Sequence, residues 1–439
     1  MTSVVELPTH FCALGAQQSV AAIERAIPIL HAGPGCGYKL HTGLGGFNGY
    51  QGGGYSGGGS MPCTNTGEQE VVFGGEDRLR SVLEGALKVM DGDLFVVLTG
   101  CTSELVGDDT GHVVAEFRSR GVPVVYAATG GFRGSNLLGH DIVANAIVDQ
   151  LLEPAAQIVP SLVNVWSSVP YHDPFWAGNL AAIRELLAGI GLEANVLFGP
   201  NSGGLAAWRR VPAAQFNLVL SSWPGVSVAR NLQRRFGTPW LHQPTLPIGG
   251  IETSRFLRAI TEFAGVADSR AARFIEAQER AFHYYFERAA DFFLEFRWDL
   301  PSRFVTVSNS WYGIGISRLL ANEFGLLPSH QFVTDDPPEE FRPAIVKAYR
   351  EIAPEISAEV TFSQDCETIR HTLRELDAPA PIVFGSTSDR DIARELGGCH
   401  LSIATPISDR LVVNGSYFGY QGGLRLIEDL YSSILSAVQ

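Results

Sequence analysis

Basic charge is in short supply in this chain. Its 32 Lys and Arg residues stand against 46 Asp and Glu, a formal net charge of −14. That balance argues against nucleic acid or an anionic membrane face as the main partner, because both draw on a surplus of cations. Long apolar runs are missing too: no stretch of about 18 apolar residues occurs, so no membrane-spanning helix is expected. The opening MTSVVELPTHFCALG has neither the basic start nor the apolar stretch of a secretory signal. A cytoplasmic location is therefore expected, where thiols stay reduced. There is no G-x-x-x-x-G-K-S/T, which argues against ATP on a P-loop, and no H-E-x-x-H or C-x-x-C, which disfavours the usual zinc sites. Cysteine is scarce. Six residues in a reducing compartment are free, catalytic or metal-bound, not a disulfide framework.

What is present is a well-packed globular composition, 45% hydrophobic and 18% charged over 439 residues. That length predicts two or three domains. Short apolar runs rich in β-branched residues occur at 93–100, 122–128, 193–199, 216–222, 303–309 and 380–386. Each is bounded by Gly, Ser, Thr, Asn or Asp, as buried parallel strands usually are. Helical patterns lie at 76–90, 109–120, 140–152, 178–190, 227–236, 252–264, 269–296 and 313–323. The alternation predicts an α/β fold of three doubly wound domains with parallel sheets. The divisions fall at 1–155, 156–298 and 299–439, with the long helix 269–296 as connector or packing spine. In such sheets ligands gather at the carboxyl ends of strands, and Cys101 directly follows FVVLTG.

Cysteine placement is the strongest local signal. Cys36, Cys63 and Cys101 all fall in the first quarter, within GPGCG, SMPCTNTG and LTGCTSE. Thiolates are natural ligands of soft metal sites and iron–sulfur clusters, yet free cysteines are also commonly buried without function. As ligands they are one short of the four a common cubane needs, so another residue or a second chain would complete the shell. The segment between Cys36 and Cys63 is laden with glycine, so it either stays loose or folds tightly around something. Cys12, Cys366 and Cys399 read as structural. GGGYSG at 52–57 matches a dinucleotide fingerprint only formally, with no strand before it and no helix after it. TDDPPEEF at 334–341 reads as a solvated acidic loop. SNSWYGIG and FGSTSDRD read as ordinary strand-to-helix turns. His31 reads as a satisfied polar residue at a strand end, with a hydrogen bond near a cluster as the alternative. His41, His112 and His140 have no partner that spacing identifies.

The series AIPILHAGPGCGYK, EQEVVFGGEDRL, LTGCTSELVGDD and GFRGSNLLGHD resembles the nitrogenase component 1 superfamily. GTPWLHQPTLPIGGIETSRFL, TDDPPEEF and DRLVVNGSYFGYQGGLRLIEDLYSSIL continue the resemblance to the C-terminus. It implies three α/β domains around a cluster-binding interface. It also implies an α-type and a β-type subunit sharing a P-cluster-type iron–sulfur cluster (8Fe–7S), each giving three cysteines. By motif these are Cys36, Cys63 and Cys101, and the partner chain supplies the rest.

α-type chains of this superfamily hold the catalytic cofactor through a mid-chain cysteine and a late histidine. Here residues 102–365 contain no cysteine, and NGSYFGYQGG contains no histidine. The resemblance therefore implies a β-type electron-relay subunit with no catalytic residue of its own. A catalytic iron–sulfur cofactor is expected in the α-type partner, and an α2β2 assembly is served by a homodimeric, ATP-dependent 4Fe–4S reductase. Where the β subunit of molybdenum nitrogenase has a serine ligand just ahead of F-V-G-S, this chain has Gly131. That departure, the glycine-rich segment and the short chain point to nitrogenase-like methylthio-alkane reductases, which cleave C–S bonds of small methylthio compounds. The alternatives are a dinitrogen-reducing β subunit, a cofactor-assembly scaffold, and a tetrapyrrole reductase subunit. Ser135 is expected to cap the helix that follows it, with a redox-linked ligand role as the other reading.

Overall fold

The computed structural model describes residues 14–52, 61–296, 300–376 and 380–437. Its strands are β1 (Ala26–His31), β2 (Leu94–Thr99), β3 (Val124–Ala127), β4 (Val159–Trp166), β5 (Glu193–Val196), β6 (Ala214–Leu220) and β7 (Trp240–Gln243). They continue with β8 (Arg303–Ser308), β9 (Leu327–Pro328), β10 (Gln331–Val333), β11 (Val360–Phe362), β12 (Ile382–Gly385) and β13 (Cys399–Ser402). Among the described residues they make three sheets, ordered β1-β2-β3, β5-β4-β6-β7 and β11-β10-β8-β12-β13, with β9 beside β8. The pairings are parallel throughout. This is the α/β architecture of doubly wound units that the alternating pattern predicts.

β2, LFVVLT, is buried at every position, because helices cover both faces of a parallel sheet. On one face Ile27, Ile29, Phe95 and Val97 meet Leu79, Leu83, Val113 and Phe117 from the helices Glu76–Val89 and Thr110–Ser119. On the other face Leu30, Val96 and Leu98 join a large apolar cluster that continues through Trp166, Trp208 and Phe304 to Tyr417. The three sheets therefore share one continuous core. The long helix Ser269–Phe296 serves as the expected packing spine, lying against both Gly249–Ala264 and the C-terminal helix Gly419–Ala437.

All six expected strands form, most of them trimmed at the ends. β1 was implied only by the strand end at His31 and not among the apolar runs, because Pro28 interrupts AIPILH. The sheet tolerates it because β1 is the edge strand of its sheet, and the segment 62–66 that bonds to its outer side does so at Leu30 and Ala32, beyond Pro28. β7, β10 and β11 are short and partly polar, so they carry no apolar run. A helix also forms where none was expected, at Pro34–Gly46 inside the glycine-rich segment, with proline in its first turn. TDDPPEEF is not simply a solvated loop. Asp335 is buried and accepts hydrogen bonds from the Ser310 N–H and hydroxyl and from Trp223 Nε1. Cys12 and most of GGGYSG lie outside the described residues.

Candidate functional site

β1 and β2 run in register, with His31 opposite Thr99, so two loops leave the sheet side by side. After His31 the chain turns through Ala32 and Gly33 into the helix Pro34–Gly46, whose first turn carries Cys36. After Thr99 it turns at Gly100 into the helix Cys101–Val106, whose first residue is Cys101. The third cysteine arrives on an extended segment beside β1. Leu30 N–H donates to Pro62 O at 2.8 Å, Thr64 N–H to Leu30 O at 2.9 Å, and Thr66 N–H to Ala32 O at 3.1 Å. These bonds set Cys63 beside Leu30.

Ala32 is the meeting point. Cys63 Sγ lies 3.4 Å from Ala32 O. A β-carbon at Gly100 would lie 3.7 Å from Cys36 Sγ but only 2.5 Å from Ala32 Cβ. Glycine at 100 is what lets the two loops approach so closely. All three thiols are half-buried. Gly131 N–H lies 3.1 Å from Cys101 Sγ, and Asn65 N–H lies 3.4 Å from Cys63 Sγ. Burial pushes the Cys63 thiol above its ordinary range, opposed by the Asn65 N–H. Neither helix start is capped by a side chain, because Gly33 and Gly100 hold the capping positions.

A buried hub behind the thiols fixes the loops. His31 Nε2 lies 2.9 Å from Asp108 Oδ2, and His31 Nδ1 lies 3.2 Å from Thr64 Oγ1. Asp108 Oδ1 accepts from Gly75 N–H at 2.8 Å, and the Ser103 hydroxyl donates to His31 O at 2.6 Å. His31 is thus the satisfied polar residue expected at a strand end, and it also braces Thr64, next to Cys63. Burial holds its imidazole below the ordinary range against the pull of Asp108.

Several large apolar side chains stand exposed around the thiols. Phe73 is 83% and Leu105 76% exposed, and Val72, Phe132 and Tyr38 are exposed as well. Patches of this kind on a folded chain mark interaction sites. Among the described residues no trio of His, Cys, Asp or Glu could hold a single metal ion. The donor set therefore does not suit a mononuclear ion. Three half-buried sulfurs on neighbouring loops, with N–H donors at Cys101 and Cys63, are soft donors of the kind an iron–sulfur group takes.

The remaining candidates are structural. The Cys366 and Cys399 thiols are each pushed up to about 11 by burial. His140 is buried against the Ser19 hydroxyl at 2.7 Å, and burial lowers it to about 4. His112 pairs with Glu116 at 3.0 Å on one helix face. Ser135 caps the helix Asn136–Leu151, accepting from Leu138 N–H at 3.5 Å. Asn309 caps the helix after β8 through Tyr312 N–H, and Ser386 bonds Asp389, so both strand-to-helix turns are satisfied internally. Sequence reasoning assigned no role to Thr64, Thr99, Glu104 or Asp108. Glu104 and Asp108 sit within GCTSELVGDD, but nothing in that string says which loops they tie.

The site is thus a half-buried set of thiols at the carboxyl end of a parallel α/β sheet. The model of the nitrogenase component 1 type oxidoreductase family matches residues 12–435, and the chain belongs to that family. The family consists of subunits of multi-component, iron–sulfur-dependent reductases. The nitrogenase molybdenum-iron protein beta chain of Methanococcus maripaludis is 24% identical over 96% of this chain and 92% of its own length. A subunit of the light-independent protochlorophyllide reductase from Nostoc sp. is 24% identical over 78% of this chain and 67% of its own. A nitrogenase molybdenum-iron protein alpha chain from Azospirillum brasilense is 32% identical, but over 52% of this chain and 49% of its own. Among solved structures, nitrogenase Cp1 at pH 6.5 superimposes with a TM-score of 0.80 at 19% identity, covering 100% of this chain and 94% of the other. That likeness establishes the fold.

Proposed function

We propose that this chain is the β-type, electron-relay subunit of a nitrogenase-like reductase, and that Cys36, Cys63 and Cys101 give half the ligand shell of a P-cluster-type 8Fe–7S cluster. One observation carries the reading. Three half-buried thiols stand on neighbouring loops at the carboxyl ends of β1 and β2 beside exposed apolar side chains, and among the described residues no group of three or more His, Cys, Asp or Glu could hold a metal ion. A homologous α-type chain docked on that apolar rim completes the shell in an α2β2 assembly. Bound there, the cluster supplies reversible electron storage.

This chain's own residues do the holding and shielding. The Gly131 and Asn65 N–H groups donate to the Cys101 and Cys63 sulfurs and stabilise their negative charge. The His31–Asp108 pair fixes the loops, and the apolar rim excludes water once covered. Gly131 offers a main-chain N–H where the resemblance places a serine hydroxyl. The reading includes a cytoplasmic complex, served by a separate ATP-dependent 4Fe–4S reductase. It also includes three domains divided near 155 and 298, with one sheet in each. The substrate class we propose is small methylthio compounds, cleaved reductively at C–S by the partner's catalytic cofactor. A second reading, a dinitrogen-reducing β subunit, is favoured by the near full-length similarity to the methanogen β chain.

The test is the complex co-purified with its α-type partner. Iron counted per heterodimer and turnover on methylthio compounds against dinitrogen are measured together. Iron with C–S cleavage supports the first reading, iron with dinitrogen reduction alone replaces it by the second, and a complex without iron contradicts both.

A further inference from the structure

We propose that Glu104, clamped between Thr99 and Arg133, is a positioning residue that sets the potential of the cluster by holding the Gly131 amide on Cys101. The inference rests on the ligand role of Cys101 proposed above. Gly131 begins a single helical turn, Gly131–Arg133, and its N–H is the donor 3.1 Å from Cys101 Sγ. The turn is closed by Arg133 N–H donating to Gly130 O at 2.9 Å, a bond that shapes the turn without tying it to Cys101. Glu104 grips the turn on both sides of the amide. Its Oε1 accepts from Gly130 N–H at 2.7 Å, and its Oε2 accepts from Arg133 Nε at 2.6 Å.

The carboxylate is itself held. Its side chain is only 7% exposed, and Oε1 also accepts from the Thr99 hydroxyl. Thr99 in turn accepts from Thr129 N–H at 3.0 Å and receives the Thr129 hydroxyl at its carbonyl, at 2.8 Å. The clamp therefore runs from the last residue of β2 to both flanks of the donor amide. Gly130 makes the close approach possible, since a β-carbon there would lie 3.1 Å from the Glu104 carboxyl and 3.0 Å from the Phe132 ring.

Hydrogen bonds to ligand sulfur stabilise the more negative, reduced cluster and so raise its potential. Loosening the clamp lengthens the N–H···S bond and moves the midpoint potential to more negative values. Removing Glu104 alone also removes a negative charge, which pushes the other way. The test must therefore keep net charge constant.

Two variants do so, Glu104→Gln with Arg133→Met, and Thr99→Val, each in the complex with the α-type partner. The midpoint potential is read by spectroscopic redox titration alongside iron content. We expect wild-type iron and a more negative potential in both, with Arg133→Lys, which keeps the charge and a donor, returning close to wild type. Full iron with an unchanged potential in Thr99→Val and in the double variant overturns the proposal. If only one variant keeps its iron, its potential decides. Loss of iron from both would make the clamp a requirement for holding the cluster, and overturns its role in setting the potential. Full iron retention by Cys101→Ala would instead remove the ligand reading on which the inference rests.

Discussion

At the carboxyl ends of β1 and β2 the loops present Cys36, Cys63 and Cys101, half-buried, with Phe73 and Leu105 exposed beside them. At the carboxyl ends of β4, β6, β8 and β10 the loops instead present Ser168, Ser222, Asn309 and Asp335, and the carboxylates there are buried and bonded within the chain. Asp173 accepts from Phe175 N–H, the Tyr312 hydroxyl and Asn179 Nδ2. Asp335 accepts from the Ser310 N–H and hydroxyl and from Trp223 Nε1. Both places are where a parallel α/β fold gathers ligands. The oxygen-rich end finds partners for its carboxylates within the chain. At the sulfur-rich end the thiols stay half-buried beside exposed apolar side chains, as the proposal of a site completed by a second chain requires.

The contrast breaks most sharply at the sulfur end. Cys36→Ala or Cys101→Ala is expected to strip nearly all iron from the co-purified complex and loosen it, whereas Cys399→Ala leaves iron at the wild-type level. Iron analysis of the three variants side by side checks this. Equal iron in all three would erase the distinction between the ends.

The oxygen end should show itself in acid. Burial pushes Asp173 up to about 6 from 3.8, so the folded chain keeps its proton up to about pH 6 and the unfolded chain only to about pH 3.8. The contribution to stability is full below the unfolded value and is lost as pH rises through about 6. Between pH 7 and pH 4 the wild type should gain about 2 kcal/mol on Asp173→Asn, which cannot titrate. Calorimetric Tm values of the pair across that window measure it, and parallel pH profiles would sink the idea.

The rim sharpens the comparison further. Phe73→Asp places a charge on a residue that touches little within the chain. It should weaken partner binding about tenfold or more while stability changes by less than about 0.5 kcal/mol. Sedimentation of the mixed subunits reads the first and thermal melting the second. A destabilised subunit with unchanged affinity would make Phe73 a packing residue instead. The smallest effect expected is at Ser135. Its bond to Leu138 N–H is long, so Ser135→Ala should cost about 0.5–1 kcal/mol and leave cluster spectra and potential unchanged. A shifted potential would make Ser135 a redox-linked ligand.

Much of this was legible in the sequence where local chemistry dictates structure. DLFVVLTG reads as a strand and Cys101 as the residue just beyond its carboxyl end, and both are so placed. Their turn-rich placement in the first quarter grouped Cys36 and Cys63 with Cys101, and the family motifs gave the three a ligand role, although spacing could not have put Cys63 alongside Leu30. β1 was implied only by the strand end at His31, and Pro28 within it is tolerated because the outer side of this edge strand is bonded at Leu30 and Ala32 and not at Pro28, a fact of topology rather than of local pattern. The hub was hidden for a related reason. His31, Thr64 and Asp108 are far apart in sequence and meet only once β1 and β2 are in register. Asp335 looked solvated in TDDPPEEF because charge and proline read as surface, and only the tertiary donors Ser310 and Trp223 explain its burial.

The central claim is that these three thiols are half of a site closed by another chain. Anomalous diffraction at the iron edge from crystals of the co-purified complex tests it most directly. The account predicts iron bonded to Cys36, Cys63 and Cys101 Sγ and, in the same cluster, to sulfur from the α-type partner. Iron held by this chain's thiols alone, or iron with none of the three within bonding distance, would contradict it.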